Sequence, residues 1–357
     1  MPVLGIGPGF FANEMTSEKA YLASGLAKGD RPIAAHRDST KLRYLKSKEP
    51  PRPSTYPIFS IERACEQAGI EALPDSMSIP DSFAANFVYK FRWMWNFRRS
   101  SAGPVFVSYM SFLEKKTFPF SYWTEIIPYS FDCWPMYYDW WASFYKRERV
   151  RIAFISARQS AEYFSRAFPK MTAVWLPEAT DPSEYCPLKS WLERDIDVLE
   201  MGRRHEPYHY RIAEKLAQAN RVHLYERGES KSIFPGRAEL VDGLARTKIL
   251  ICFPRSLTHP EEAGGVETVT HRYFQAMASK CLIVGHGVRE LKDLFGYNPV
   301  IEVQTGQEFE QIEWVLNNLN SLTELVERNY SRLLEVGTWN SRVETILEIV
   351  QAHPAFH

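Results

Sequence analysis

Residues Gly264–Gly285 read GGVETVTHRYFQAMASKCLIVG. Two glycines lead into a lone carboxylate, Glu267, then a short helical stretch, then an apolar run that ends on glycine. On a helix through 269–280, Val269, Tyr273, Ala276 and Met277 make one apolar stripe. His271 and Gln275, four apart, share the opposite face, where they can look into a cleft. The free N–H groups expected around Thr268, Val269 and Thr270 form an anion site, and Glu267 stands at its lip. Loop, helix and buried strand in this order predict one unit of an alternating α/β fold.

The same rhythm runs outward in both directions. PVFVSYMS, TEIIPYSF, RIAFISA and MTAVWLP read as strands, with helices over MYYDWWASFYKRER and QSAEYFSRAF between them. IDVLEMG, RVHLYER, KILICFP, CLIVGH and NPVIEV repeat the pattern in the second half. Near the N-terminus, PVLGIGPGFF suggests a strand breaking into a Gly5–Gly9 loop that includes Gly7. TSEKAYLASGLAKGD then has helical spacing, RPIAAHR reads as a strand, and KSKEPPRPSTYP as an exposed loop. Strand–helix alternation argues for parallel sheets covered on both faces, one per half. Two such domains enclose a cleft, and ligands of open α/β sheets bind beyond the carboxyl ends of the strands. Gly7, Asp132, Arg203, Arg204, Arg255 and Glu267 all fall just after strands.

The chain has 357 residues, with 43 Lys+Arg and 43 Asp+Glu. With no net charge, no global field points to nucleic acid or to an anionic membrane. Five cysteines, widely spaced and with no CxxC pair, fit reduced thiols rather than a disulfide framework. No apolar stretch approaches the roughly 20 residues that span a bilayer, and no signal-peptide pattern opens the chain. A cytoplasmic protein is expected, with the basic-aromatic stretch KFRWMWNFRRS (Lys90–Ser100) offering peripheral membrane contact as an alternative to a half-buried helix.

Two motifs invite a metal and fail. HEPYH (His205–His209) matches HExxH, but Pro207 would break the helix that must carry both histidines. DID (Asp195–Asp197) resembles a DxD clamp, yet it opens a strand where the clamp belongs at a strand's end. No metal and no cofactor are expected. The aromatic run Phe118–Tyr145 reads as core or domain interface rather than a sugar platform.

An anion site beside a carboxylate suits a nucleotide sugar, which offers a pyrophosphate to the one and hydroxyls to the other. Here the sequence resembles the retaining GT-B glycosyltransferases of the family 4 type, including the spore-protein glycosyltransferase-like branch. Their signature sets two glutamates eight positions apart, the second beginning an EAMA stretch before SG and a strand. This chain has Glu267 and then Gln275 in QAMASKCLIVG, with Lys280 where glycine is usual. WLPEATDPSEYCP resembles the family's interdomain linker, and IDVLEMGRR its strand and GR loop. GTWNSRVETILEIV resembles its closing Trp-containing helix. YSFDCWP keeps Asp132 of an N-domain HD pair but has Phe131 for the histidine, and Tyr208 stands where the family has a phosphate-binding lysine.

The resemblance implies a GT-B fold: two Rossmann-like α/β domains with parallel sheets facing across a cleft. Residues 1–188 would bind the acceptor and 189–340 the nucleotide-sugar donor, with 341–357 a helix crossing back. It implies transfer of a sugar from a nucleoside-diphosphate donor to a glycan, lipid, small-molecule or protein acceptor, with retention and without metal. Arg203, with Arg204 or Arg211, would hold the diphosphate together with Thr268–Thr270. Glu267 would orient the donor sugar, Gln275 the ribose, and Asp132 the acceptor or reacting sugar. Arg255, His271 and Gly7 complete the candidate donor site. Two alternatives are a non-catalytic subunit that binds nucleotide sugar or glycan for a partner, and a sugar-nucleotide epimerase.

Overall fold

A computed structural model describes residues 42–47, 55–73, 103–110, 117, 120–122, 124–187, 190–226 and 232–356. The Gly5–Gly9 loop with Gly7, the two elements expected after it and the Lys90–Ser100 stretch lie outside these residues.

The first domain holds a six-stranded parallel sheet: β1 (Arg43–Leu45), β2 (Glu71–Leu73), β3 (Val105–Tyr109), β4 (Ile126–Ser130), β5 (Ile152–Ile155) and β6 (Thr172–Trp175). The order across it is β2-β1-β3-β4-β5-β6. The second holds five parallel strands: β7 (Ile196–Glu200), β8 (His223–Tyr225), β9 (Thr247–Cys252), β10 (Leu282–Gly285) and β11 (Ile301–Glu302), in the order β11-β10-β9-β7-β8. Every residue of β3, β4, β5 and β7 is buried. Helices cover both faces, so these strands read as continuous apolar runs rather than alternating ones.

Successive side chains serve two cores. Phe106, Ile127, Tyr129 and Phe154 pack under the helix Tyr56–Gln67. Val105, Val107, Ile126 and Ile155 pack under the helices Tyr138–Glu148 and Arg158–Ala167. The aromatic run is chiefly core: Trp141, Phe144 and Tyr145 are buried in that second layer. The helix Tyr56–Gln67 begins inside the stretch that reads as an exposed loop. Pro57 sits in its first turn, where a missing N–H costs nothing.

The last helix, Trp339–Ala352, belongs to the first domain's core although it follows the second domain in sequence. Trp339 meets Phe131 and Tyr129 edge-on. The chain therefore crosses between domains twice, and the crossings pair with each other. The Thr180 N–H donates to Gly337 O at 2.9 Å and the Trp339 N–H to Thr180 O at 3.2 Å. Arg342, fully buried, donates to Pro177 O at 2.9 Å on one crossing and to Val336 O at 2.7 Å on the other. No helix among the described residues is long and apolar enough to cross a membrane.

Candidate active site

In the second sheet, β7 lies between β8 and β9, so the chain's path reverses there. A crevice forms beyond the carboxyl ends of strands at such a point. Here it is walled by Glu200, Arg203, Arg204, His205, Phe253 and Arg272. The turn after β7 places Gly202 at φ +68°, a left-handed backbone that favours glycine. Arg272, in the first turn of the helix His271–Ala278, holds this turn by donating to Met201 O at 3.0 Å and Arg203 O at 2.9 Å.

Arg203 has no side-chain hydrogen bond among the described residues. It is exposed on the surface, yet crowded by protein and by like charges. Burial, then the Arg255 and Arg272 guanidinia, push it down to about 10. Two carboxyls from the other side of the cleft attract it. Asp132, two residues past β4, accepts from Trp134 Nε1 at 3.1 Å. Burial raises its carboxyl, against the pull of Arg255 and Arg203. Glu178, in the crossing after β6, is pushed up to about 8 by burial and then by the Asp132 charge, against the His271 N–H and the Arg203 and Arg272 charges. Sequence reading missed Glu178; its one signal is a lone acid between Pro177 and Ala179 in an otherwise apolar run.

The other arginines are spoken for by carboxylates of the chain. Arg204 lines the crevice but pairs with Glu206 at 2.8 Å and lies 3.4 Å from His209 Nε2. Arg211 is not brought to the crevice, because it pairs with Glu308 on the helix Glu308–Asn317. Arg255 pairs with Glu262 and lies over the Trp134 ring. Tyr208 is buried against Phe253 and offers no charge.

The opening stretch departs from its expected form. The helix starts at His271, not at Val269. Its residues from Tyr273 to Ala278 are all buried. Gln275 therefore does not look into an open cleft; the helix Thr323–Val336 packs on the side that the sheet does not cover. His271 turns to Thr180 Oγ1 at 3.2 Å, and burial pushes it down to about 3, leaving a neutral ring. Of the three N–H groups only one is committed: Val269 donates to Glu290 Oε2 at 3.2 Å, and the next N–H along, that of His271, meets Glu178, while the Thr268 and Thr270 N–H groups have no hydrogen-bond partner among the described residues. Thr268 donates its hydroxyl to Ser156 O, and Thr270 is the residue that precedes the helix. Glu267 remains a half-exposed carboxylate, bonded to His286 Nε2 at 3.2 Å. Lys280 takes φ +53°, which explains why glycine suits that position, and its Nζ binds Glu327 at 2.7 Å.

One trio among the described residues, Glu200, His209 and His223, has metal-ligand chemistry. Glu200 Oε1 lies 2.7 Å from His209 Nδ1 and 2.8 Å from His223 Nε2. Those are hydrogen-bond separations, shorter than the roughly 3.3 Å between neighbours in a tetrahedron with bonds of about 2.0–2.1 Å. Arg204 can only donate to His209 Nε2, which places the ring proton on Nδ1, where a metal would have to bind. Burial would raise the Glu200 carboxyl, but the two imidazoles hold it below its ordinary value. The DID acids are structural: Asp195 pairs with Arg246 and Asp197 with Lys248.

Residues 208–348 match the family model described as glycosyl transferase-like. No curated protein sequence matches the chain. Among solved structures, Anabaena HepE in complex with UDP-glucose is 10% identical, with a TM-score of 0.54 over 87% of this chain and 99% of that one. Sucrose-phosphate synthase from Thermosynechococcus elongatus is 9% identical, with a TM-score of 0.52 over 87% and 98%. AviGT4, a glycosyltransferase involved in avilamycin A biosynthesis, is 11% identical, with a TM-score of 0.51 over 87% and 96%. The chain has the GT-B fold. In GT-B terms the crevice after β7 lies in the second domain, and Asp132 and Glu178 face it from the first domain and the crossing.

Proposed function

We propose that this GT-B chain is a retaining glycosyltransferase that binds a nucleoside-diphosphate sugar in the crevice after β7 and needs no metal ion. The observation that carries the reading is Arg203. It is a cation without a hydrogen-bonded partner among the described residues, crowded by Arg255 and Arg272 at the switch point of a parallel sheet. Arg203, Arg204 and Arg272 wall one crevice and call for an anion, and a leaving diphosphate develops its charge there. Glu267 accepts from hydroxyls of the donor sugar. Asp132 orients the acceptor, and Glu178 beside it supplies a second carboxyl. HepE, which shares the fold, was solved in complex with UDP-glucose, and this supports a donor of the same class. Retention rests on the resemblance to the family 4 type, and metal independence on guanidinium charge where a cation would serve.

The pairing of Arg204, Arg211 and Arg255 with resident carboxylates favours a second reading, a subunit that binds nucleotide sugar without turning it over. Hydrolysis and transfer on UDP-, GDP-, ADP-, CMP- and dTDP-linked sugars, each with and without EDTA, separate the two. The transferase reading expects turnover of one donor that EDTA leaves intact. Binding without turnover supports the subunit, and activity lost to EDTA and restored by magnesium or manganese overturns metal independence.

A further inference from the structure

The Glu267 loop is held by the opposite domain. Gln159 lies in the first turn of the helix Arg158–Ala167, just past β5. Its carboxamide makes two contacts with the backbone of Gly265–Glu267: Oε1 accepts from the Glu267 N–H at 2.8 Å, and Nε2 donates to Gly265 O at 3.1 Å. The pattern is that of a strand neighbour, with one acceptor and one donor matched to a backbone N–H and C=O. Three further bonds fasten the same turn to the same loop. Thr268 Oγ1 donates to Ser156 O at 3.2 Å. Glu290, in the second domain, accepts from the Arg158 N–H at 2.6 Å and from the Val269 N–H at 3.2 Å, so one carboxylate joins both sides. Beneath them, Trp134 and Ala157 of the first domain pack with Ala263 and Val266 of the second.

We infer that Gln159 is a positioning residue for Glu267, and that closing the two domains is the step that sets Glu267 in place. The inference rests on the reading of Glu267 as the donor-sugar carboxylate. The loop needs such a clamp. Gly264 and Gly265 precede Glu267, and two glycines leave the backbone many conformations unless something outside the loop selects one. Gln159 supplies that selection from across the cleft, and it is absent whenever the domains part. A carboxylate correctly placed only in the closed state confines its chemistry to a water-poor cleft.

Hydrogen exchange on the full chain tests the clamp without any ligand. In the wild type the Glu267 amide is protected. In Gln159→Ala it exchanges about tenfold faster or more, with amides of β3 unchanged. Gln159→Glu keeps the acceptor for Glu267 but sets an oxygen against Gly265 O, and so gives an intermediate rate. Kinetics test the role: with the best donor of the sugar-nucleotide panel, kcat in Gln159→Ala falls roughly tenfold to a hundredfold. Affinity for the matching nucleoside diphosphate stays within about twofold, because Gln159 lies outside the arginine crevice. Unchanged exchange at Glu267 overturns the clamp. Faster exchange with unchanged kcat overturns the positioning role. A wild type inactive on every donor overturns the transferase reading and this role with it, while the exchange result still decides whether the clamp exists.

Discussion

At the scale of single residues, the site is a contest between charges the chain satisfies itself and those it leaves for a ligand. Arg203 belongs to the second class. Arg203→Ala should weaken nucleoside diphosphate binding by about 1.5–3 kcal/mol, the worth of a charge-assisted bond, with the fold intact. Titration calorimetry with the diphosphate of the preferred donor measures this, and unchanged affinity would return Arg203 to the solvated surface. Glu178 makes a second prediction through protons. Unfolded, its carboxyl titrates near the ordinary value of about 4.3; folded, it is pushed up to about 8. Between these values the folded chain holds a proton that the unfolded chain releases. Its contribution to stability is therefore full below the lower value and is lost as pH rises through the upper one. Glu178→Gln has no proton to lose, so its melting temperature should fall less steeply than the wild type's across this window. Glu290, pushed up to about 7, acts in the same direction, so some slope persists. Parallel melting curves for the two proteins would refute the assignment.

At the scale of elements, the tightest constraint lies where β10 meets β9. A side chain at Gly285 would put its Cβ 1.8 Å from Cys252 O, a backbone atom that cannot yield. The neighbouring bonds are committed as well, since the His286 N–H donates to Cys252 O at 3.0 Å and Tyr273 Oη donates to His286 O at 2.6 Å. Gly285→Ala should therefore cost about 1–3 kcal/mol or more, the range for overpacking a rigid site. Thermal or urea melts check it, and a loss below about 0.5 kcal/mol, the level of an ordinary surface change, would show that the strands can shift. His286 also carries the imidazole that meets Glu267, so this glycine links sheet packing to the candidate site.

At the scale of the whole molecule, two crossings and one buried arginine join the domains. Arg342 reaches carbonyls on both crossings, and Thr180 pairs with Gly337 and Trp339 between them. Burial pushes the guanidinium down to about 10, so its charge is kept at a cost that the carbonyl bonds offset. Arg342→Met fills similar space but leaves those carbonyls without donors, at about 1–3 kcal/mol for each buried group left unmade. The expected outcome is a lower melting temperature together with a larger radius of gyration by X-ray scattering, as the two crossings lose their shared anchor. Destabilisation with an unchanged radius would assign Arg342 to the first domain's core alone.

Much of this was legible in the sequence, because burial on both faces of a parallel sheet writes itself as short apolar runs. β3 to β11 all coincide with stretches that read as strands, β9 starting one residue before its stretch, at Thr247, and the Trp-containing helix was identifiable by its resemblance. β1, β2 and the start of the helix Tyr56–Gln67 were not, since RYL and EAL carry no β-branched residue and Pro57 reads as a loop residue until its place in a first turn is known. Residue types with diphosphate chemistry were visible; their partners were not. Arg211 is tied to Glu308, 97 residues away, and Gln159 grips the backbone of Glu267 from 108 residues away. That Arg203 stays open and that Glu178 faces Asp132 likewise depend on distant segments meeting in space. The sequence by itself determined which stretches are apolar, and hence the alternating α/β class. Only the tertiary structure decided which charges stay open, because pairing is set by distances across elements that local periodicity does not encode.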